Sequence, residues 1–307
     1  MKIHRREALK IGVAAAACAS VAVAAESPLL AKRIPKSGER LPVIGVGTNN
    51  YSPSTPEERA ARKEVLQSLT RNGAKVIDTA PAYRESERVI GALLAELGNR
   101  DQAFIATKVT AASGTREEGA AMLEESFARL QTKVIDLVQV HNLIGTAVLL
   151  PLLRERVTEK RIRYLGVTTW TDTQYAELAT ILRRETLDFV QLDYSIGNRG
   201  AAEELLPIAA DRGVAVLVNV PFGGRRAGNL FSRVRGVALP DWAKEFDATS
   251  WGQFFLKYVV SHPAVTCAIP GMTQRANLED NLGVARGRLP DAALRTRMEA
   301  FWDALPA

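Results

Sequence analysis

The chain has 307 residues, is 47% hydrophobic and 24% charged, and carries a formal net charge of +6. A chain of that size and apolar content is globular, with one large core or two small ones. The basic balance sits mainly at the start: within residues 1–24, Lys2, Arg5, Arg6 and Lys10 face one acid, Glu7, so the remainder holds +3, and it has no basic run interleaved with aromatics, which argues against a nucleic-acid partner.

Residues 1–25, "MKIHRREALKIGVAAAACASVAVAA", combine a basic start, a 15-residue run of small apolar residues and an Ala22-Val23-Ala24 cleavage pattern. They are expected to be a signal peptide, too short for a spanning helix. Arg5-Arg6 followed by Leu9-Lys10 resembles the twin-arginine export signal, whose pathway carries folded, often cofactor-loaded proteins. The expectation is an exported, periplasmic domain over residues 26–307; an ordinary secretory signal or an uncleaved anchor are the alternatives. Cys18 lies in the leader and leaves only Cys267, so the exported domain has neither an internal disulfide nor a cysteine zinc cluster.

In chain order, "AKRIPKSGERLPV" reads as a hairpin turning at Ser37-Gly38, and it is followed by an apolar strand over 43–46. The stretch "PEERAARKEVLQSLTRNG" has helical period, with Val65, Leu66 and Leu69 on one face and Gly73 as its stop. Strands are predicted over 75–77 and 103–107, then a second amphipathic helix in "TREEGAAMLEESFARLQ" with Met122, Leu123, Phe127 and Leu130 on one face. Further strands fall at 137–140, 164–167, 189–192, 215–218 and 266–269, separated by helical stretches. Eight strands alternating with helices over roughly 270 residues predict an α/β fold, a (β/α)8 TIM barrel. The hairpin would plug its bottom, and "DAALRTRMEAFWDALP" adds an extra C-terminal helix. The long loop 221–246 is expected to cover a cofactor, because loops of that length are rarely idle.

In such a barrel the active site lies where the strands end. The second strand ends on Asp78 with Tyr83 in the loop after it, the third runs into Lys108 and the fourth into His141. Each has a bland reading: a turn cap, a surface aromatic, a surface ion pair, a hydrogen-bonded core histidine. Together they make chemical sense. A phenol titrates near pH 10, and an adjacent ammonium held by a carboxylate draws it toward a usable range while a histidine orients a carbonyl oxygen. That arrangement needs a hydride donor, which side chains cannot supply.

The sequence resembles the aldo-keto reductases over residues 33–305. The motifs are "LPVIGVGT", "GAKVIDTAPAYRESERVIG", "FIATKV", "DLVQVHN", "YLGVTTW", "VQLDYS" and "IPGMTQRANLEDNL", in that order. The resemblance implies that Asp78, Tyr83, Lys108 and His141 are the catalytic tetrad and that NADP, or NAD, binds extended across the mouth. It also implies reduction of a small aldehyde or ketone to the alcohol, with Tyr83 as general acid. It places Thr168, Thr169 and Gln191 near the nicotinamide carboxamide. Pro221, Phe222 and Gly223 match the loop under the pyrophosphate, and Gly271, Thr273, Arg275, Asn277, Asp280 and Asn281 match the adenosine end. Three departures stand out: Thr168-Thr169 where many members have Ser-Asn, Asn219 where an aromatic stacks on the nicotinamide, and Gly271 and Thr273 where a Lys or Arg often grips the adenosine 2′-phosphate, with Arg275 the nearest cation. Two other functions stay open, a barrel that binds cofactor without turnover and a lyase using Lys108 as a Schiff-base lysine. Phe301 and Trp302 read as core, Asn49, Asn50, Tyr51 and Trp170 as residues at the mouth, and Arg225 and Arg226 as either phosphate-steering or solvated.

Overall fold

A computed structural model describes residues 28–224 and 228–306. The leader, with Arg5, Arg6 and Cys18, and the pair Arg225 and Arg226 lie outside the described residues. Strands β1 (Ala31–Arg33) and β2 (Arg40–Pro42) form an antiparallel hairpin. Its turn passes through Gly38 at φ 74°, as Ser37-Gly38 predicted. Eight strands follow: β3 (Val46–Gly47), β4 (Val76–Asp78), β5 (Phe104–Val109), β6 (Ile135–His141), β7 (Ile162–Thr168), β8 (Phe189–Leu192), β9 (Ala215–Val218) and β10 (Val265–Ala268). Each is parallel to the next.

The sheet closes on itself through parallel bridges Ile44 to Ala268 and Gly47 to Gly271. Glycine is required there: a Cβ at Gly47 would lie 2.7 Å from the Ile269 carbonyl oxygen. The result is the (β/α)8 barrel. The spans predicted at 189–192 and 215–218 match β8 and β9, whereas β6 and β7 start earlier than the hydrophobic run suggests. Their first turns carry Asp136 and Arg163, whose side chains pair across the two strands at 2.8 Å and so prolong the ladder with charge instead of apolar residues.

Ten helices surround the barrel: α1 (Pro56–Arg71), α2 (Ser86–Leu97), α3 (Arg116–Arg129), α4 (Thr146–Thr158), α5 (Tyr175–Arg184), α6 (Leu205–Asp211), α7 (Leu230–Arg233), α8 (Trp251–Ser261), α9 (Arg275–Leu282) and α10 (Ala292–Ala304). Thr55, Thr115 and Ser250 cap α1, α3 and α8, each accepting a backbone N–H with its hydroxyl oxygen. Gly73, at φ 82°, closes α1.

Two cores result. The inner one fills the barrel with Val76, Phe104, Leu137, Phe189, Leu217 and Cys267, and Ile34 and Leu41 of the hairpin seal its lower end. The outer one lies between sheet and helices, where Trp302 is buried and Phe301 half-buried, in keeping with a packing role. Beyond Asn229 the long loop packs on the outer helices. Its α7 and the short helix Asp241–Phe246 turn outward: Phe231 meets the Phe255 ring at 5.6 Å and Trp242 meets Phe301 at 5.9 Å. These ring contacts tie the loop to α8 and α10.

Candidate active site

Alternation along the strands builds the site. Val76, Phe104 and Ala106, Leu137, Phe189, Ala215 and Leu217 point into the inner core. Two residues further along each strand the same face carries Asp78, Lys108, His141, Gln191 and Asn219 at the upper end, with Gln139 below His141. The apolar interior therefore ends in a polar rim at the C-terminal mouth.

Asp78 and Lys108 are 3% and 2% exposed. The Lys108 ammonium donates to Asp78 Oδ2 at 2.7 Å and to the Thr79 carbonyl at 2.8 Å. Asp78 is thus paired, not merely capping a turn. The Tyr83 ring lies with its centroid 4.9 Å from Lys108 Nζ. His141 stands edge-on to the same ring, 6.2 Å between centroids. Elements from three neighbouring strands converge on one phenol.

Burial lifts the Asp78 carboxyl above its ordinary range, with Lys108 opposing. Burial also works against the Lys108 charge, but Asp78 and Tyr83 outweigh it and the ammonium is held above its usual value. For Tyr83 the outcome differs from the expected lowering: burial of the phenol raises it more than Lys108 lowers it. Tyr83 therefore stays protonated in the neutral range, beside an ammonium. Burial and then the Lys108 charge push His141 down to about 4, so its imidazole is neutral near pH 7.

These four residues line a cavity of about 420 Å³ together with Asn49, Asn142, Thr168, Trp170, Asn219, Pro221 and Gly271. A second cavity of about 480 Å³ adjoins it past Ala82, Lys108 and His141 and runs along α3 to Met122. Of the expected cofactor residues, Thr168, Pro221 and Gly271 reach the first cavity. Thr169 does not: it is buried and its hydroxyl donates to Gln174 Oε1 at 2.6 Å. Gln191 is buried below the rim, with Nε2 unpaired.

Phe222 packs on Phe231, and Gly223, at φ 90°, leaves no space for a Cβ, which would lie 2.0 Å from the Gly228 carbonyl oxygen. At the expected adenosine end, Thr273 offers its carbonyl to Arg62 at 3.3 Å, Arg275 pairs with Glu279 at 2.6 Å, and Asn277 is exposed. Asp280 accepts from the Ser250 hydroxyl at 2.7 Å and from Gln253 Nε2 at 2.9 Å, and Asn281 is buried beside it. These residues stand on or beside α9, outside the catalytic cavity.

Tyr51 is corrected from mouth to core: it is fully buried and donates to the Met272 carbonyl at 3.0 Å. Asn50 is exposed, and only Asn49 and Trp170 of that group line the cavity. Sequence reasoning missed Asn142, a cavity residue at φ 53° whose buried Oδ1 is unpaired. Its signal was its place directly after His141, where a polar residue at a strand end faces the mouth.

The Aldo/keto reductase family profile matches residues 43–300. The chain belongs to the aldo/keto reductase family. Among curated relatives of this aldo/keto reductase, the methylglyoxal reductase YeaE of Escherichia coli is 26% identical over 88% of this chain and 95% of its own length. The methylglyoxal reductase DkgB of Yersinia pestis is 26% identical over 79% and 86%. An aldo-keto reductase from Klebsiella pneumoniae, crystallised with NADPH, superposes with a TM-score of 0.72 at 23% identity, covering 89% of this chain and 95% of that one.

Proposed function

We propose that this aldo/keto reductase reduces a small aldehyde or ketone to the alcohol with NADPH, Tyr83 acting as general acid. The observation that carries this is the buried Lys108–Asp78 pair at 2.7 Å facing a protonated Tyr83, with a neutral His141 lining the same cavity. A bound nicotinamide dinucleotide supplies the hydride. The residues at the mouth fit such a group: Asn219, which lines the cavity, has a buried and unpaired Oδ1, and Gln191 Nε2 lies just below it beside Asp78. The Klebsiella pneumoniae structure, crystallised with NADPH, supports NADPH as the first cofactor to test.

Each side chain has a distinct task in this reading. His141 donates an N–H to the substrate oxygen and fixes its position over Tyr83. As negative charge builds on that oxygen, the Tyr83 proton moves to it, and the Lys108 ammonium stabilises the phenolate left behind. Asp78 holds Lys108 charged and in place. The same pairing disfavours a Schiff-base lyase, because a nucleophilic lysine must be a neutral amine and Lys108 spends its protons on Asp78 and Thr79.

The test is NADPH consumption with methylglyoxal, a substrate class suggested by the two curated relatives. Tyr83→Phe should lower kcat by at least about 10²-fold, the scale of losing a general acid, with cofactor affinity unchanged. A variant that kept most of its turnover would overturn the assignment. Export through the twin-arginine route belongs to the same proposal and rests on Arg5-Arg6 ahead of the apolar run. Replacing both by Lys should trap the protein in the cytoplasm, and cell fractionation showing normal export would refute the route.

A further inference from the structure

Asn219 directly follows β9, and its backbone N–H donates to the Leu192 carbonyl at 3.1 Å, so the strand ladder sets its position. It stands two residues beyond Leu217, an inner-core residue, and therefore points up into the mouth. Its side-chain Nδ2 donates to the Thr169 carbonyl at 2.9 Å. A carbonyl only accepts, so this contact fixes which way the amide faces: nitrogen toward Thr169, oxygen away from it. That oxygen is buried, lies on a residue lining the catalytic cavity, and has no hydrogen-bond partner.

A second orphan sits on the neighbouring strand. Gln191 Oε1 accepts from Gln139 Nε2 at 3.3 Å, and its own Nε2 faces the Asp78 carboxylate without a hydrogen bond of normal length, so at least one of its two N–H groups is left to a ligand. Gln191 pairs with Leu217 across the ladder, one step below Asn219 on the same inward face. A buried donor or acceptor left unmade carries its full desolvation cost unless a ligand meets it. A primary carboxamide is the complement of that pair, with one carbonyl to accept and two N–H groups to donate.

Position 169 cannot serve instead. The Thr169 hydroxyl donates to Gln174 Oε1 at 2.6 Å and accepts from the Thr171 N–H at 3.2 Å. Gln174 in turn donates to the Asn142 carbonyl at 2.8 Å, tying the loop after β7 to the loop after β6. The Thr169 side chain is spent on holding the mouth together.

We propose that Asn219 Oδ1 accepts a hydrogen bond from the amide N–H of the nicotinamide carboxamide, opposite the Gln191 donor. The inference rests on the cofactor reading above. In place of a ring lying against the nicotinamide, this chain recognises the amide nitrogen directly, through an acceptor that Thr169 aims from behind. Asn219 is a cofactor-positioning residue of this site.

The test compares two ligands that differ at that nitrogen. Fluorescence titration of the purified protein is made with NADP and with its 3-acetylpyridine analogue, in which a methyl group replaces the amide nitrogen. Wild type should bind NADP tighter by up to about tenfold, the scale of one hydrogen bond made or lost at a buried partner. Asn219→Leu should bind both alike, because its preference has nothing left to read. Equal binding of the two by wild type overturns the inference whether or not the variant folds. A preference that survives Asn219→Leu overturns it too, while leaving the cofactor reading intact. Failure of wild type to bind either dinucleotide overturns both.

Discussion

His141 shows how far burial decides what a residue can do. An exposed imidazole titrates near pH 6.5, but desolvation and the nearby Lys108 ammonium push this one to about 4. It is then a hydrogen-bond donor throughout the neutral range and not a proton source. The pH–rate profile should therefore show no limb near 6.5, and His141→Gln, which keeps an N–H donor, should retain more activity than His141→Ala, with cofactor affinity unchanged in both. An inflection near 6.5 in wild type that vanished in His141→Gln would contradict this. Asp78, Lys108 and His141 were legible as polar residues ending apolar runs, and Tyr83 as the residue in the loop after the first of them. Asn219 and Thr169 were legible only as departures: which of their atoms is spent and which is free depends on side-chain contacts between loops, such as Thr169 with Gln174.

At the scale of the elements, helix ends divide by how they stop. Gly73 and Gly98, at φ 82° and 62°, end α1 and α2 with the residue best suited to the left-handed region. Helices α3 and α4 end instead on Gln131 and Lys160, at φ 51° and 59°. In each case a backbone bond spans the turn, from Thr132 N–H to the Phe127 carbonyl at 3.2 Å and from Arg161 N–H to the Arg156 carbonyl at 2.9 Å. Both residues are exposed, so the backbone strain has little side-chain packing to offset it. A non-glycine residue there costs about 1–2 kcal/mol. Gln131→Gly and Lys160→Gly should each raise Tm, by roughly 2–4 °C per kcal/mol recovered in a chain near this size. A lowered Tm in scanning calorimetry would count against the strain account. The face of α3 was legible in the period of Leu123, Phe127 and Leu130, and its reading as far as Gln131 matches its end, but the left-handed backbone of that stop was not legible, because the stop is not a glycine.

Across the whole molecule, opposed buried groups set the response to acid. His262 is pushed down to about 4 by burial and by Arg295 and Lys32, and its Nδ1 accepts the Ala264 N–H at 3.2 Å. For His141 and His262 the folded value lies below the unfolded one. Their contribution is present above about pH 6.5 and is lost as pH falls through about 4. Asp193 works the other way: burial, opposed by the Asn198 amide, raises it to about 6. Its contribution is complete below its unfolded value and is lost as pH rises through about 6. Tm should thus fall on acidification from pH 6.5 to 4, with Asp193 masking part of the fall. His262→Gln should flatten the decline and Asp193→Asn should steepen it. An unchanged slope in His262→Gln would remove that imidazole from the account.

Local pattern alone determined the barrel, its hairpin plug, its extra helix and the polar strand ends at Asp78, Lys108 and His141. Those follow from alternation along single strands, from period along single helices and from polar residues at the ends of apolar runs, all of which are properties of neighbours in the chain. The closure at Gly47 and Ile269, the outward turn of Trp242, the burial of Tyr51 and the unpaired oxygen of Asn219 were decided only in three dimensions. Each depends on which distant backbone or ring a residue meets, and burial and hydrogen-bond saturation exist only once those partners are in place.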